Sequence, residues 1–210
     1  MVSWEQVEHM PLKQVVDEVI ERHTSIHASW SIPPRSKKLS VAHLVTPDTL
    51  LCQISLSKSL HRWVNRQSTE SGDLLLAWTN IGLLVEGTMK WFLSVFHEEV
   101  RQDWENQVVK FKDHYSQESF LYMMRKFFHQ RIWFGNGDFD RWVMHVHECR
   151  FYGLSDQQQL QGRMERIDEA VRVYLHFLRF HQELVEQQFI HQAEESKGND
   201  PKEFRHLLKG

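Results

Sequence analysis

A long, almost continuously apolar run in the middle of the chain constrains the fold more than any other feature of the sequence. Residues 74–96 read LLLAWTNIGLLVEGTMKWFLSVF, which places apolar side chains on nearly every side of a helix. Asn80, Glu86 and Lys90 interrupt the run, so it lacks the roughly 20 consecutive apolar residues of a bilayer-spanning helix. Glu86 and Lys90 also have the i,i+4 spacing of an ion pair. The run therefore predicts a helix over 74–104 at the centre of a bundle.

Helical periodicity continues on both sides of this segment, and strand signals are absent. The chain has only five prolines and nine glycines, and nearly all of them fall between the periodic stretches. We therefore predict an all-α bundle of about six helices. The predicted helices run from Pro11 to Ser29, from Pro47 to Trp63, from Leu74 to Trp104, from Ser116 to Ile132, from Phe139 to Tyr152 and from Leu160 to Glu194.

Single residues indicate how these helices begin and pack. Thr46 is suited to cap the second helix, which has a proline in its first position, and Asp138 is suited to cap the fifth. Leu51 belongs to the apolar set of the second helix. We expect Gly82 and Gly87 to let neighbouring backbones approach the central helix closely.

Composition narrows the class of protein. The 210 residues are 41% hydrophobic and 25% charged, with 25 Lys and Arg against 28 Asp and Glu, as expected for a soluble globular chain. This balance lacks the basic excess of a duplex-DNA-binding protein, so neither duplex DNA nor a membrane is an expected partner. The two cysteines, Cys52 and Cys149, favour a reducing cytoplasm over a disulfide framework.

The sequence pattern divides the chain into three parts. Residues 1–70 contain amphipathic helices that we expect to pack on the rest, and residues 71–195 form the helical core of the bundle. Residues 196–210 are polar, and we expect them to form a mobile tail.

Three stretches carry a resemblance to a known family. They are LLAWTNIGLLVEGTMKWFLSVF at 75–96, FLYMMRKFFHQRIW at 120–133, and the two helices from Phe139 through HECRFYGLSD to YLHFL at 174–178. In helix pattern and spacing the chain resembles the HEPN superfamily over about residues 70–185, and in particular its bacterial defence and toxin-like members.

The resemblance implies a fold, an assembly and an activity. Its members are small helical bundles that usually form homodimers, in which two copies of an Arg-x(4–6)-His motif meet to make one RNA-cleaving site. The implied chemistry requires no metal or cofactor: a ribose 2′-OH attacks the adjacent phosphate, His moves the proton, and Arg holds the negative charge. RNA is therefore the substrate class that the resemblance favours.

The resemblance also directs attention to one helix. The motif is expected near Arg150, where Phe151 takes the place of the usual polar residue and positions 154–157 read Leu-Ser-Asp-Gln without a histidine. Arg141 and His147 have a motif-like spacing on the same predicted helix, and His147 precedes Arg150 by three residues on one face. We therefore take Arg141, His147 and Arg150 as the candidate catalytic residues.

Other histidine patterns carry less information. His145 and His147 diverge by about 200° on a helix, so they do not share a metal ion. His23 and His27 have an i,i+4 spacing without a third ligand, and Arg22 with His27 repeats the motif spacing on the first helix. No metal is expected at any of these places.

Two basic groups are candidates for contact with nucleic acid. One is in the loop after the first helix and the other lies along the last helix; their members are Arg35, Lys37, Lys38, Arg163, Arg166, Arg172 and Arg179. Acidic residues are interleaved with the second group, which favours a solvated mixed-charge face over a phosphate track.

The sequence supports two hypotheses about function. The first is a cytoplasmic defence or toxin–antitoxin protein that engages RNA, with metal-independent endoribonuclease activity through the candidate residues. The second is a catalytically degenerate binding module that dimerises, or that regulates or scaffolds a helical partner protein. The missing histidine after Arg150 favours the second hypothesis, and the usual role of the family favours the first.

Overall fold

The computed structural model describes residues 4–30, 45–64, 71–96, 103–104, 106, 120–133, 137–151 and 167–195. Over these residues the chain forms seven α-helices and one short 3₁₀ helix, with no strand, so the all-α prediction is confirmed. The helices are α1 (Trp4–Glu8), α2 (Leu12–Trp30), α3 (Pro47–Ser59), α4 (Ser71–Val95), α5 (Phe120–Arg131), α6 (Gly137–Phe151) and α7 (Ile167–Glu195), and the 3₁₀ helix is Leu60–Arg62.

Helices α4 and α7 pack against each other at the centre of the bundle. On one side α2 contacts α3 and α7, and α3 contacts α4; on the other side α6 contacts both α4 and α5. The short helix α1 packs on α7. Buried apolar side chains between Val7 and Val64 belong to the same hydrophobic cluster as those of α4 to α7, so the first helices share the core of the later ones.

The start of α3 follows the sequence prediction. The Thr46 hydroxyl accepts a hydrogen bond from the backbone N–H of Thr49, and the Thr49 hydroxyl accepts one from the backbone N–H of Thr46, which is a reciprocal cap. The prediction for Leu51 is wrong, because this side chain is 50% exposed. Helix α3 buries one stripe that contains Leu50 and Gln53, and Leu51 lies about 100° away from Leu50 around the helix.

The central helix is shorter than predicted at its end and longer at its start. It begins at Ser71 and ends at Val95, where the apolar periodicity also stops. The predicted pair within it is present, since Lys90 Nζ lies 2.6 Å from Glu86 Oε1.

The two glycines of α4 leave space for side chains of neighbouring helices. The prediction that they let neighbouring backbones approach closely is wrong. A Cβ atom at Gly82 would lie 3.1 Å from Cδ of Arg150. A Cβ atom at Gly87 would overlap the side-chain amide of Gln53, which donates to the carbonyl oxygen of Leu83 at 3.2 Å. In each case the missing side chain leaves room for a long polar residue of a neighbouring helix.

A buried hydrogen-bonded group connects α2, α4 and α7. The Tyr174 hydroxyl lies 2.6 Å from His23 Nε2 and 2.9 Å from Thr88 Oγ1, and it also donates to the carbonyl oxygen of Leu84. Burial lowers the pKa of His23 to about 3, so this imidazole is neutral at neutral pH. These hydrogen bonds give the buried polar atoms of His23, Thr88 and Tyr174 partners, and burial without partners would cost folding free energy.

A second buried histidine lies among aromatic rings where α4, α5, α6 and α7 meet. The indole N–H of Trp133 donates to His181 Nε2 at 3.2 Å, so the other ring nitrogen carries the proton and donates to the Phe177 carbonyl oxygen at 2.7 Å. Burial lowers the pKa of His181 to about 3, although the bond to Phe177 acts in the opposite direction. The rings of Phe92 and Phe139 also contact this imidazole.

The start of α6 and the absence of a predicted membrane helix are two further expectations from the sequence. Helix α6 begins at Gly137, so Asp138 lies in its first turn and the prediction that Asp138 caps the helix is wrong. The predicted loop after the first helix, at 31–40, and the predicted tail at 196–210 lie outside the described residues. In the described part of the chain, none of the helices combines the length and the apolar character needed to cross a membrane.

Candidate functional site

An arginine of α5 and an aspartate of α6 tie these two helices together. Arg125 Nε and Nη2 donate to the two carboxylate oxygens of Asp140 at 2.8 and 3.1 Å, in the bidentate arrangement that binds carboxylates most strongly. The two side chains are only 19% and 14% exposed, so the solvent screens the pair less than it would at the surface. This contact fixes which side chains of α5 face α6.

Tyr122 of α5 lies among cations and beside a histidine of α6. The Lys126 Nζ atom is 4.5 Å from the centre of the Tyr122 ring, and the Arg125 guanidinium carbon is 5.4 Å from it. The His147 ring centre is 5.8 Å from the Tyr122 ring centre. Attraction between a cation and an aromatic ring holds this group in place.

His147 is half-buried at this place, and its protonation state follows from its surroundings. Burial lowers the pKa of its imidazole from the usual value of 6.5, and the charge of Arg150 lowers it further. Glu148 acts in the opposite direction, and Arg125 adds a smaller lowering effect. The imidazole is therefore neutral at neutral pH, which is the form that accepts a proton.

Arg150 lies three residues after His147 and reaches across to the central helix. Its Nη1 atom lies 3.3 Å from Glu86 Oε2, and its stem passes over Gly82. The same carboxylate bonds to Lys90 through its other oxygen. Arg150 is thus held between α6 and α4 by an ion pair and by the space that a glycine leaves.

The structure brings two of the three sequence candidates together and separates the third. His147 and Arg150 occupy one face of α6 and interact electrostatically. Arg141 precedes Arg150 by nine residues, which corresponds to about 180° around the helix and about 13 Å along it. Its side chain is 78% exposed and forms an ion pair with Asp138. Within one chain, Arg141 therefore does not join the other two.

We call the group of Tyr122, Arg125, Lys126, His147 and Arg150 the α5–α6 cationic face. It combines a neutral imidazole, cations from two helices and a half-buried aromatic ring. Cations and an aromatic ring are the groups that proteins use to contact phosphates and bases of RNA. A neutral imidazole beside a guanidinium is also able to move a proton next to a developing negative charge.

Two of the histidines considered for metal binding contact aromatic side chains. His23 is bonded to Tyr174, and His145 contacts Trp78 with ring centres 5.3 Å apart. The Cys149 thiol is buried and lies 3.5 Å from Nε2 of His145. Among the residues that the structure describes, no group of three His, Cys, Asp or Glu side chains is arranged to hold a metal ion.

The basic residues of the last helix have structural contacts. Arg172 Nη1 donates to the backbone carbonyl oxygens of Val7 and Met10, and Arg179 donates to both carboxylate oxygens of Glu18. These two arginines therefore bind the first helices to α7 and do not form a phosphate track. The other basic candidates, at 35–38 and 163–166, lie outside the described residues.

Sequence reasoning did not assign a functional role to five residues around this site. They are Glu86, Lys90, Tyr122, Arg125 and Lys126. The i,i+4 spacing predicted the pair of Glu86 with Lys90, but nothing in the sequence connects that pair with Arg150, which is 64 positions away from Glu86. Arg125 and Lys126 are adjacent basic residues on a largely apolar helix. The sequence does not show that α6 lies beside them, so it does not connect them with His147.

Comparison of the chain with models of known protein families, with curated proteins and with solved structures gives no match in any of the three.

Proposed function

We propose that this protein engages RNA through the α5–α6 cationic face, with His147 and Arg150 as the pair that supports metal-independent cleavage. The observation that carries the proposal is the position of a neutral, half-buried His147 beside Arg150 and Tyr122. Cations of two helices supply attraction for phosphate, and the aromatic ring supplies a surface for bases. The cytoplasmic defence or toxin–antitoxin role belongs to the same proposal and follows from the resemblance to HEPN proteins.

The chemistry assigns a separate task to each residue. His147 accepts the proton of a ribose 2′-OH as that oxygen attacks the adjacent phosphorus. Arg150 stabilises the negative charge on the phosphoryl oxygens, and the 5′-oxygen leaves as its bond to phosphorus breaks. The leaving oxygen takes a proton from the imidazolium, which restores neutral His147. A homodimer, as the resemblance implies, would bring a second copy of this pair to the RNA.

The test is a denaturing-gel assay of total RNA and tRNA with the purified protein in EDTA, which removes metal-dependent nucleases. We expect His147→Ala and Arg150→Ala to lower the cleavage rate at least about 100-fold, because general base catalysis and charge stabilisation each contribute effects of that order. His61→Ala and Arg62→Ala are matched controls, since both residues are exposed on the 3₁₀ helix that packs on α2 and α3. Equal cleavage by all four variants contradicts the site.

Arg141→Ala distinguishes the geometric site from the sequence motif. If Arg141 acts together with His147, as the motif spacing implies, its removal abolishes cleavage. From the position of Arg141 on the opposite side of α6, we expect cleavage within about twofold of the unchanged protein.

A second candidate function is a binding module that does not cleave RNA. The observation that favours it is the ion pair between Arg150 and Glu86, which engages a guanidinium that catalysis requires. Intact RNA at high protein concentration, together with a stable dimer or partner complex in size-exclusion chromatography, would support this function over the first.

A further inference from the structure

One carboxylate of the central helix lies between two cations. Glu86 Oε1 lies 2.6 Å from Lys90 Nζ, and Glu86 Oε2 lies 3.3 Å from Arg150 Nη1. The three side chains are only 16–29% exposed, so their interactions are screened less than those of surface pairs. Two cations therefore share one carboxylate.

Neighbouring groups hold both cations in this arrangement. The Lys90 Nζ atom lies 4.9 Å from the centre of the Phe120 ring, which attracts it. The Arg150 stem passes over Gly82, where a Cβ atom would come within 3.1 Å of Cδ. A lysine and an arginine from two helices are thus fixed on either side of a single anionic group.

We propose that Lys90 and Arg150 form a phosphate-binding site in which Glu86 occupies the position of the phosphate and lowers the affinity for RNA. Phosphate oxygens accept hydrogen bonds from lysine and arginine just as carboxylate oxygens do, and with similar geometry. An RNA phosphate that approaches Arg150 therefore competes with Glu86. This inference rests on the proposed function, and it adds Lys90 and Glu86 to the residues that set RNA affinity.

The test compares Glu86→Gln with Glu148→Gln in an otherwise identical background. Glu148 is also close to His147, so its neutralisation controls for the general effect of removing a negative charge. The probe is a fluorescently labelled single-stranded RNA oligonucleotide, whose binding is followed by fluorescence anisotropy in EDTA. His147→Ala is present throughout to prevent cleavage, and circular dichroism confirms that each variant is folded.

We expect Glu86→Gln to tighten RNA binding by about three- to tenfold at low salt, and Glu148→Gln by about twofold or less. The plot of log affinity against log salt concentration becomes steeper by about 0.7 for one additional phosphate contact with a single strand. Adding Lys90→Met or Arg150→Met to Glu86→Gln abolishes the gain. Equal effects of the two glutamate substitutions, or a gain that survives both additional changes, would overturn the proposed site.

A second measurement does not depend on RNA. Phenylglyoxal modifies accessible arginines, and peptide mass spectrometry measures the rate at Arg150 alone. We expect Glu86→Gln to increase this rate severalfold and Glu148→Gln to leave it unchanged, because only Glu86 bonds to the Arg150 guanidinium among these two carboxylates. An unchanged rate in Glu86→Gln contradicts the role of Glu86.

The two measurements separate this inference from the function on which it rests. If the protein binds RNA and Glu86→Gln has no specific effect, only the phosphate site is wrong. If no variant binds RNA, the proposed function and the phosphate site are both wrong, even where the modification rate shows that Glu86 holds Arg150.

Discussion

At the scale of single residues, two ion pairs hold α6 against its neighbours: Asp140 of α6 pairs with Arg125 of α5, and Arg150 of α6 pairs with Glu86 of α4. His147 and Arg150 share a face of α6 because they are three residues apart, and the sequence was sufficient to predict that. Arg125 and Asp140 are separated by the segment between two helices, so their bidentate pair depends on how α5 lies against α6. The sequence therefore predicts that His147 and Arg150 lie together, but not which residues surround them.

Gly87 gives a prediction at this scale. We expect Gly87→Ala to lower the free energy of unfolding by about 1–3 kcal/mol, because a Cβ atom overlaps the amide of Gln53 and forces it away from the Leu83 carbonyl. Chemical denaturation measures the change. Gly72→Ala is the matched control on the same helix, since nothing lies within 4 Å of its Cβ position. Equal stability of the two variants would show that Gln53 moves aside without cost.

At the scale of helices, the sequence predicts a helix boundary well where residues within one turn form it. Thr46 caps α3 as expected, because a cap depends on residues within a single turn. The exposure of Leu51 depends on which face of α3 the neighbouring helices cover. The sequence analysis did not predict the five-residue helix α1. A helix of this length is not stable by itself and depends on contacts with other helices.

The dependence of α1 on α7 gives a prediction for this helix. Arg172 bonds to the backbone carbonyl oxygens of Val7 and Met10 just where α1 ends. We expect Arg172→Met to increase amide hydrogen exchange over residues 4–10 by at least about tenfold, because two carbonyl groups lose a charged donor. Exchange in α4 should change little. Arg62→Met is the control, and equal exchange in both variants would mean that burial of Val7 is sufficient to hold α1.

At the scale of the whole molecule, two neutral histidines connect the helices. His23 joins α2 to α7 through Tyr174, and His181 lies where four helices meet. Both are buried, and burial lowers the pKa of each to about 3. Below about pH 6.5, these two histidines are therefore protonated in the unfolded chain but remain neutral in the folded chain.

This difference predicts how stability depends on pH. Between about pH 6.5 and pH 3 the unfolded state binds more protons, so the free energy of unfolding falls as the pH is lowered. Each buried histidine contributes up to about 1.4 kcal/mol per pH unit, and the two together about twice that. Above pH 6.5 both states are neutral at these residues and the contribution is constant.

Urea denaturation at a series of pH values measures this dependence. His9→Gln is the control, because it replaces an exposed histidine. His181→Phe should reduce the slope, although it also removes the hydrogen bonds to Trp133 and Phe177. A flat profile between pH 6.5 and pH 4 would show that these histidines do not remain neutral in the folded chain.

The sequence by itself determined that the chain is helical, where most helices lie, how α3 is capped, and that Glu86 pairs with Lys90. These features depend on residues within one or two turns of each other, and their spacing is written in the sequence. Only the tertiary structure decided that Arg150 reaches Glu86, that Arg141 lies apart, and that the glycines of α4 accommodate side chains. These contacts join distant parts of the chain, so they depend on how packing of the core orients each helix against its neighbours.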